Sequence, residues 1–531
     1  MRPTPVQLEQ NDAFRRAFTL MNETHQSLFI TGKAGTGKST LLDYFCLHTA
    51  KKPVVLAPTG VAALNVRGQT IHRFFNFYID VTVDKIQKKE IRPRNKKLYE
   101  KLETIIIDEI SMVRADLLDC IDTFLRLYGP KTGEPFGGVQ MIFVGDLYQL
   151  PPVVSRDESS IFESHYKSPY FFDAHVMREI TVDTIELDKV YRQKERDFID
   201  LLGRVRNNTP TEDDINALNA RFDPDPKKND SDFTIYLTTT NAAADAVNDD
   251  HLKALPGKTY ISTAELSGDV SKEYYPTATE LSFKAGAQIM LLNNDPKRRW
   301  VNGSIGTIES IRIDEEDNEY LRVRLEGEND IVAVYPFMWE VYKFKLQDNA
   351  ITSEAVGTFT QYPFRLAWAI TIHKSQGKTF NNVVFDIGRG AFAAGQVYVA
   401  LSRCTTLEGL RLKTRLARHN IRTDPRIGAF MSAPAYAKSE ENMPLEAKIS
   451  LIQDAIKKGQ ALRLSYLKPD QTESTRIVDP AHVGDESFHG QHYIGLRGFC
   501  RERQDNRVFR VDRILKIEMD VAAPPKKKKA T

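Results

Sequence analysis

The chain has 531 residues, 41% of them hydrophobic and 27% charged, which describes a soluble globular protein too long for one core and built from about three or four domains. Its 73 basic and 71 acidic residues leave a net charge of +2, too small to argue for a nucleic-acid partner, so any such binding must come from local clusters. No run of about eighteen apolar residues occurs, "MRPTPVQLEQ" lacks a signal-peptide core, and Cys46, Cys120, Cys404 and Cys500 form no C-x-x-C pair; neither a zinc site nor a disulfide framework is suggested, and a cytoplasmic location is expected.

The first strong signal is "TGKAGTGKST", residues 31 to 40. It fits G-x-x-x-x-G-K-[ST] with Gly32, Gly37, Lys38 and Ser39, after the apolar run Ser27-Leu28-Phe29-Ile30 and before the helical pattern Leu41, Leu42, Phe45. Glycines there let successive backbone N–H groups surround an anion at a helix N-terminus. The cradle is expected from Gly32, Ala34, Gly35, Thr36, Gly37, Lys38, Ser39 and Thr40, with Lys38 on the β- and γ-phosphates of ATP and Ser39 on Mg²⁺.

Further along, "TIIIDEIS" (104 to 111) reads as a parallel strand buried on both faces and ending in an acidic pair. Asp108 is expected to bind Mg²⁺ and Glu109 to position and deprotonate the attacking water. After the P-loop come, in one order, "LAPTGVAALNVRGQTIHRFF", "FGGVQMIFVGDLYQLPPVV", "LDKVYRQ", "RLAWAITIHKSQGKTF" and "VYVALSR". Together these resemble the superfamily-1 helicase motifs. "FGGVQMIFVGDLYQLPPV" with "AITIHKSQGKTF" resembles the Pif-type (petite integration frequency) branch of superfamily 1B, related to RecD-like helicases, over about residues 1 to 425.

The resemblance implies a role for each matched residue. Gln149 would sense the γ-phosphate, Arg192 and Arg403 would be arginine fingers, Gly377 would border the nucleotide, and Gln10 would read adenine. Arginines so far downstream imply a second RecA-like lobe facing the first across the ATP. Thr59 and His72 from the first lobe, with Asn241, His373 and Lys374 from the second, would touch single-stranded DNA. His72 also reads as a core histidine beside Phe74 and Phe75, and both readings stand.

The basic stretch "DKIQKKEIRPRNKKLYEK" (84 to 101) reads either as a solvated face or as the family's duplex-splitting wedge. From 255 to 357, alternating stretches such as "GTIESIRI" and "YLRVRLEG" signal a small antiparallel sheet, where the family carries an SH3-like insertion.

Beyond "SAPAYAKSEENMP", read as a polar linker, "LEAKISLIQDAIKKGQALRLSYL" predicts an amphipathic helix ending near Gly459 and then a strand. "TRIVDPAHV", "HYIGLRGFC" and "RVFRVDRILKIEM" supply more strands. This region resembles the WYL domain through Tyr466, Arg476, Pro480, Tyr493 and "RVFRVDRI", although the naming triplet reads His492-Tyr493-Ile494. Arg476, Arg507, Arg510 and Arg513 either converge on an anionic ligand, which is unknown, or protect a sheet edge.

The expected fold class is α/β: two RecA-like lobes with parallel sheets, a small SH3-like β insertion in the second, and a C-terminal α+β WYL module. The boundaries are 1–186 for the first lobe with a wedge at about 76–101, 187–254 and 358–430 for the second, 255–357 for the insertion, 431–445 for the linker, 446–520 for the WYL domain and 521–531 for a basic tail. The expected activity is an ATP- and Mg²⁺-dependent helicase moving 5′ to 3′ on single-stranded DNA. Tailed or forked duplexes, G-quadruplexes and RNA-DNA hybrids are its substrates by resemblance, and it would act as a bacterial cytoplasmic monomer. A WYL-centred ligand-sensing regulator with an ATPase switch is the rival; a GTPase is disfavoured because no N-K-x-D motif appears.

Overall fold

The structure, a computed structural model, describes residues 11–78, 81–154, 162–193, 195–226, 233–297, 299–327, 331–347, 350–388, 393–468, 473–488 and 491–520. Gln10 and the basic tail lie outside them. The chain forms two compact units, Met1–Arg206 with Pro210–Arg422, and Asn207–Thr209 with Thr423–Thr531.

The first lobe is built on six parallel strands: β1 (Ser27–Gly32), β2 (Val54–Ala57), β3 (Gln69–Thr70), β4 (Thr104–Ile107), β5 (Gln140–Val144) and β6 (Val182–Leu187). They lie in the order β3-β2-β4-β5-β1-β6. The unbroken apolar runs of β1, β4 and β5 follow from this position, since helices cover both faces of a parallel sheet. Phe14, Ala17 and Met21 of helix α1 (Asp12–Glu23), with Leu41, Leu42 and Phe45 of helix α2 (Lys38–His48), pack on Leu28, Ile30, Ile106 and Ile142. Because the strands are parallel, the C-terminal ends of β1, β4 and β5 open toward one crevice.

The second lobe carries a smaller parallel sheet in the order Ala369–Thr371, β7 (Ile235–Thr238), Val383–Phe385, Leu410–Leu412. Between its halves an antiparallel five-stranded sheet of Ile331–Val334, Glu319–Leu325, Ile305–Ile313, Gln288–Leu291 and Phe364–Leu366 encloses Trp300, Tyr362 and Phe364. A hairpin of Phe337–Gln347 and Ala350–Gln361 adds to Glu265–Gly268. The expected boundary at 357 therefore falls inside a strand, because the alternation continues through Phe359 and the sheet takes in Phe364–Leu366. The wedge region contributes the short helices Val83–Gln87 and Lys96–Tyr99, and Tyr99 is buried against Phe74, Phe75 and Phe124.

In the second unit, a five-stranded antiparallel sheet carries the helix Leu445–Lys458, which ends where the sequence predicts, its C-cap Gly459 in the left-handed conformation. Pro480 stands beside a register shift, where a missing N–H is tolerated. Asp505–Arg510 is an edge strand; Arg510 pairs with Asp512 and lies 5.0 Å from the Tyr493 ring centre.

The linker expected at 431–445 is instead mostly helical. A helix runs Pro425–Asn442 through Pro434, started by the Asp424 side chain accepting from the Arg426 N–H at 3.0 Å. Interior proline costs about 3 kcal/mol, and the surrounding Ala, Lys and Glu residues favour helix. Tertiary contacts help offset it: Ser439 Oγ lies 2.9 Å from the Ile514 and Leu515 carbonyls and 2.8 Å from the buried Lys448 ammonium.

Candidate functional site

Where β1 ends, the chain turns through 32–37 into α2, with Gly37 as a left-handed N-cap (φ 87°). Gly35 (φ 79°) admits no side chain, since a Cβ there would lie 2.5 Å from the Cβ of Arg192. The loop is thereby pressed against 191–192, and the Tyr191 N–H donates to the Gly35 carbonyl at 2.8 Å. Lys38 Nζ donates to the carbonyls of Gly32 (2.8 Å) and Lys33 (3.1 Å), which hold it beneath the loop.

Gly35, Gly37 and Lys38 line a cleft of about 590 Å³ together with Phe14, Ala34, Thr36, Ser39, Thr40, Glu109, Gln149, Tyr191, Arg192, Gly377 and Arg403, whereas Gly32, expected in the cradle, does not line it. The second lobe supplies its arginines without carboxylate partners among the described residues. Arg403, fully buried, donates to the carbonyls of Val399 (2.9 Å), Ser375 (3.2 Å) and Lys378 (3.3 Å) and to Ser402 Oγ (2.8 Å). Arg192 donates to the carbonyls of Ser402 and Gly377, each at 3.3 Å.

Electrostatically the protein's own charges are mismatched. Burial, and after it the Glu109 charge, pushes Asp108 up to about 7. Burial likewise raises Glu109, against the pull of Lys38. Lys38 and Arg192 are lowered by burial, and Arg403 falls to about 9 through burial and then repulsion from Arg192. A polyphosphate opposite the cations and a divalent ion beside the carboxylates would relieve both strains at once. Hard oxygen donors in Ser39 and Asp108 suit Mg²⁺, which usually takes only one or two protein ligands in addition to phosphate and water. Glu109 has φ 51°, a strained backbone for a non-glycine residue.

Several residues that build the cleft have no role assigned by the motifs, although Tyr398, Tyr148 and Asp146 stand inside them. Tyr398 Oη accepts the Ala34 N–H at 3.0 Å across 364 residues. Arg206, 4.0 Å from the Tyr148 ring centre, bonds Asp146 at 3.2 Å; Asp146 in turn accepts from the Gln149 amide at 3.3 Å, fixing the loop that presents it. Phe14 and Tyr191 are aromatic walls. In sequence all of these look like ordinary core or surface residues.

A groove of about 890 Å³ runs between the lobes and the insertion. Of the predicted strand contacts, Thr59, His373 and Lys374 line it, whereas His72 and Asn241 do not. His72 is half-buried on the helix Ile71–Phe75. Asn241 is exposed at the first position of the helix Asn241–Ala254, a turn before the lining residues Ala244, Asp245 and Asn248. Arg365, Lys378, Asn302 and Trp339 also line the groove and were not singled out from sequence.

The groove and the cleft share a wall. Glu109 lines both. Gln376 and Lys378 line the groove while Gly377 between them lines the cleft, an arrangement aided by the left-handed turn at Gly377 (φ 74°). Gln376 Nε2 reaches Gln149 Oε1 at 3.5 Å, connecting the lobes.

The model of the PIF1-like helicase family matches residues 6–215, and that of the WYL domain matches 447–519. The ATP-dependent DNA helicase PIF1 of Homo sapiens is 33% identical over 414 residues, covering 76% of this chain and 61% of its own length. The ATP-dependent DNA helicase Pif1 of Bdellovibrio bacteriovorus is 32% identical over 398 residues, covering 73% of this chain and 84% of its own. The chain thus spans less than two thirds of the human relative. A crystal structure of Bacteroides sp Pif1 in complex with ADP-AlF4 superposes with TM-score 0.74 at 34% identity, covering 80% of this chain and 97% of that one. Bacteroides Pif1 bound to ssDNA gives TM-score 0.58 at the same identity and coverage. With the P-loop, Glu109 and two arginines meeting in one cleft, the chain belongs to the PIF1-like helicase family and carries a WYL domain behind the helicase region.

Proposed function

We propose that the protein is an ATP-dependent helicase that moves 5′ to 3′ along single-stranded DNA and opens duplex ahead of it. The observation that carries this reading is the shared wall: Gln376, Gly377 and Lys378 alternate between groove and cleft, and Glu109 belongs to both. A strand in the groove thereby touches the segment that borders ATP. The 5′-to-3′ direction is taken from the likeness to superfamily 1B.

In this reading Lys38 neutralises the β- and γ-phosphates and Glu109 accepts the proton of the attacking water, the raised affinity of its carboxylate for protons suiting it to that task. Arg192 and Arg403 stabilise charge on the transferring phosphoryl group, and Gln149 reports its presence to Gln376. Mg²⁺ held by Ser39 and Asp108 would supply charge neutralisation at the phosphates. Arginines from one lobe meeting the P-loop of the other make cleft closure depend on ATP, which drives the groove residues along the strand.

Tailed and forked duplexes are the proposed substrates, with G-quadruplexes and RNA-DNA hybrids as further ones, and a monomer in the bacterial cytoplasm as the working form. Among the described residues no helix is long and apolar enough to cross a membrane. The test is ATP-driven unwinding of one duplex bearing either a 5′ or a 3′ single-stranded tail. Opening only from the 5′ tail is expected. Opening from neither, with ATPase indifferent to single strands, would reject the helicase in favour of a WYL-centred regulator.

A further inference from the structure

We infer that Arg365 and Lys378 together form a seat for one backbone phosphate of the strand in the groove, beside the segment that carries hydrolysis. The inference rests on the helicase reading and adds to it a specific grip. Both residues line the groove, and among the described residues neither has a carboxylate partner. Arg365 Nη2 donates to the Pro276 carbonyl at 2.8 Å, while its Nε is buried with no hydrogen-bond partner. The Lys378 ammonium donates to a single side chain, Asn302 Oδ1, at 2.6 Å.

A guanidinium N–H left unsatisfied beside a second cation is costly, and an apolar side chain at either place would avoid the cost. An anion between them would offset the repulsion of the two cations. Lys378 is pushed down to about 8 by burial and then by the Arg365 charge, while Arg365 is lowered by burial alone. Acidic residues also line the groove, among them Asp245, Asp249 and Glu280. Of these Asp245 acts on Lys374, where it opposes the lowering by burial and Arg365, so the positive excess is concentrated at Arg365 and Lys378.

The position gives the grip a mechanical meaning. Arg403 Nη1 donates to the Lys378 carbonyl at 3.3 Å, and Asn302 Nδ2, beside the lysine, donates to Asn65 Oδ1 of the first lobe at 3.0 Å. A phosphate held by Lys378 is thus one residue from the nucleotide cleft and two hydrogen bonds from the opposite lobe. Contacts of this kind hold the backbone without reading sequence.

The test is binding of labelled oligo(dT) by fluorescence anisotropy between about 50 and about 300 mM salt, where each phosphate contact to a single strand contributes about −0.7 to the log–log slope. Lys378→Met and Arg365→Met should each flatten the slope by up to about 0.7, and the double variant by no more than about 0.7, because the two cations share one phosphate. Lys378→Arg should restore it. Asn302→Ala leaves both cations in place and should keep the wild-type slope, which separates a charge that holds phosphate from a lysine that merely anchors Asn302. Methionine variants with the wild-type slope, or an Asn302→Ala variant flattened like Lys378→Met, overturn the seat. Failure of the wild-type protein to bind oligo(dT) overturns the helicase reading itself, a result that the variants cannot mimic.

Discussion

The cleft and the groove border on the same few residues yet differ in how their charges are arranged. In the cleft Arg403 is buried, Lys38, Asp108, Glu109 and Arg192 are half-buried, and each has its proton affinity shifted by loss of solvent. The groove is wider, mixes Arg365, Lys374 and Lys378 with Asp245, Asp249 and Glu280, and leaves His373 and Lys374 exposed. Phosphoryl transfer needs charge fixed at the points where it develops, whereas a strand that must slide is better served by contacts that can be released. The difference sets what should happen when each region is damaged.

The largest effect is expected in the cleft. Removing the second lobe's charge with Arg403→Ala should lower strand-stimulated kcat by about 10³-fold or more, as loss of an arginine finger does. A steady-state ATPase assay at saturating oligo(dT) checks it, and a loss below about tenfold would return Arg403 to a structural role holding 375–378 through its carbonyl contacts. Next is Lys38→Ala, which should lower hydrolysis by about 10²- to 10³-fold while oligo(dT) binding survives. Retained ATPase activity would mean that the P-loop assignment is wrong; lost strand binding would mean that the two regions are not separable.

That difference in charge also decides what could be read from the sequence. The P-loop and Asp108-Glu109 are legible because their chemistry admits few residue types in a strand-loop-helix or strand-end context, and the two arginines only through the resemblance; the structure gathers Lys38, Glu109, Arg192 and Arg403 into one cleft with Asp108 next to Glu109. The residues that hold them were not legible. Tyr398 reaches Ala34 through space alone, and Arg206, Tyr148 and Asp146 form a stack with no sequence spacing to announce it. In the groove, Thr59, His373 and Lys374 follow from motif likeness, while Arg365 and Lys378, within "RLAWAITIHKSQGKTF", read in sequence as ordinary basic residues, which are commonly solvated. The helix Pro425–Asn442 was read as a linker because Pro434 and polar side chains resemble a break, and only contacts such as Ser439 with Lys448 show why it persists.

The shared wall gives a smaller and sharper test. Gln376→Ala removes the contact to Gln149 without touching a phosphate ligand of the cleft. A hydrogen bond of about 1 kcal/mol corresponds to roughly fivefold, so the ratio of strand-stimulated to unstimulated turnover should fall by about that factor. An unchanged ratio would assign the coupling to Glu109 or to the Gly377 backbone instead.

The smallest effect comes from proton linkage in the groove. Lys378 is lowered to about 8 by burial and by Arg365, so in the free protein its charge is present below that pH and lost above it. His373 is lowered from its ordinary value by burial and is neutral throughout the alkaline range. If the charged lysine holds a phosphate, the strand must recover a proton for it at higher pH, and affinity falls as pH rises. Between pH 7 and about 8.5 the charged fraction of such a group drops about fourfold, and the dissociation constant for oligo(dT) should rise by the same factor. Lys378→Arg keeps its charge across this range and should remove the dependence. A pH profile unaffected by that substitution would show that the groove's protons reside elsewhere, and that the wall of the groove holds its strand without Lys378.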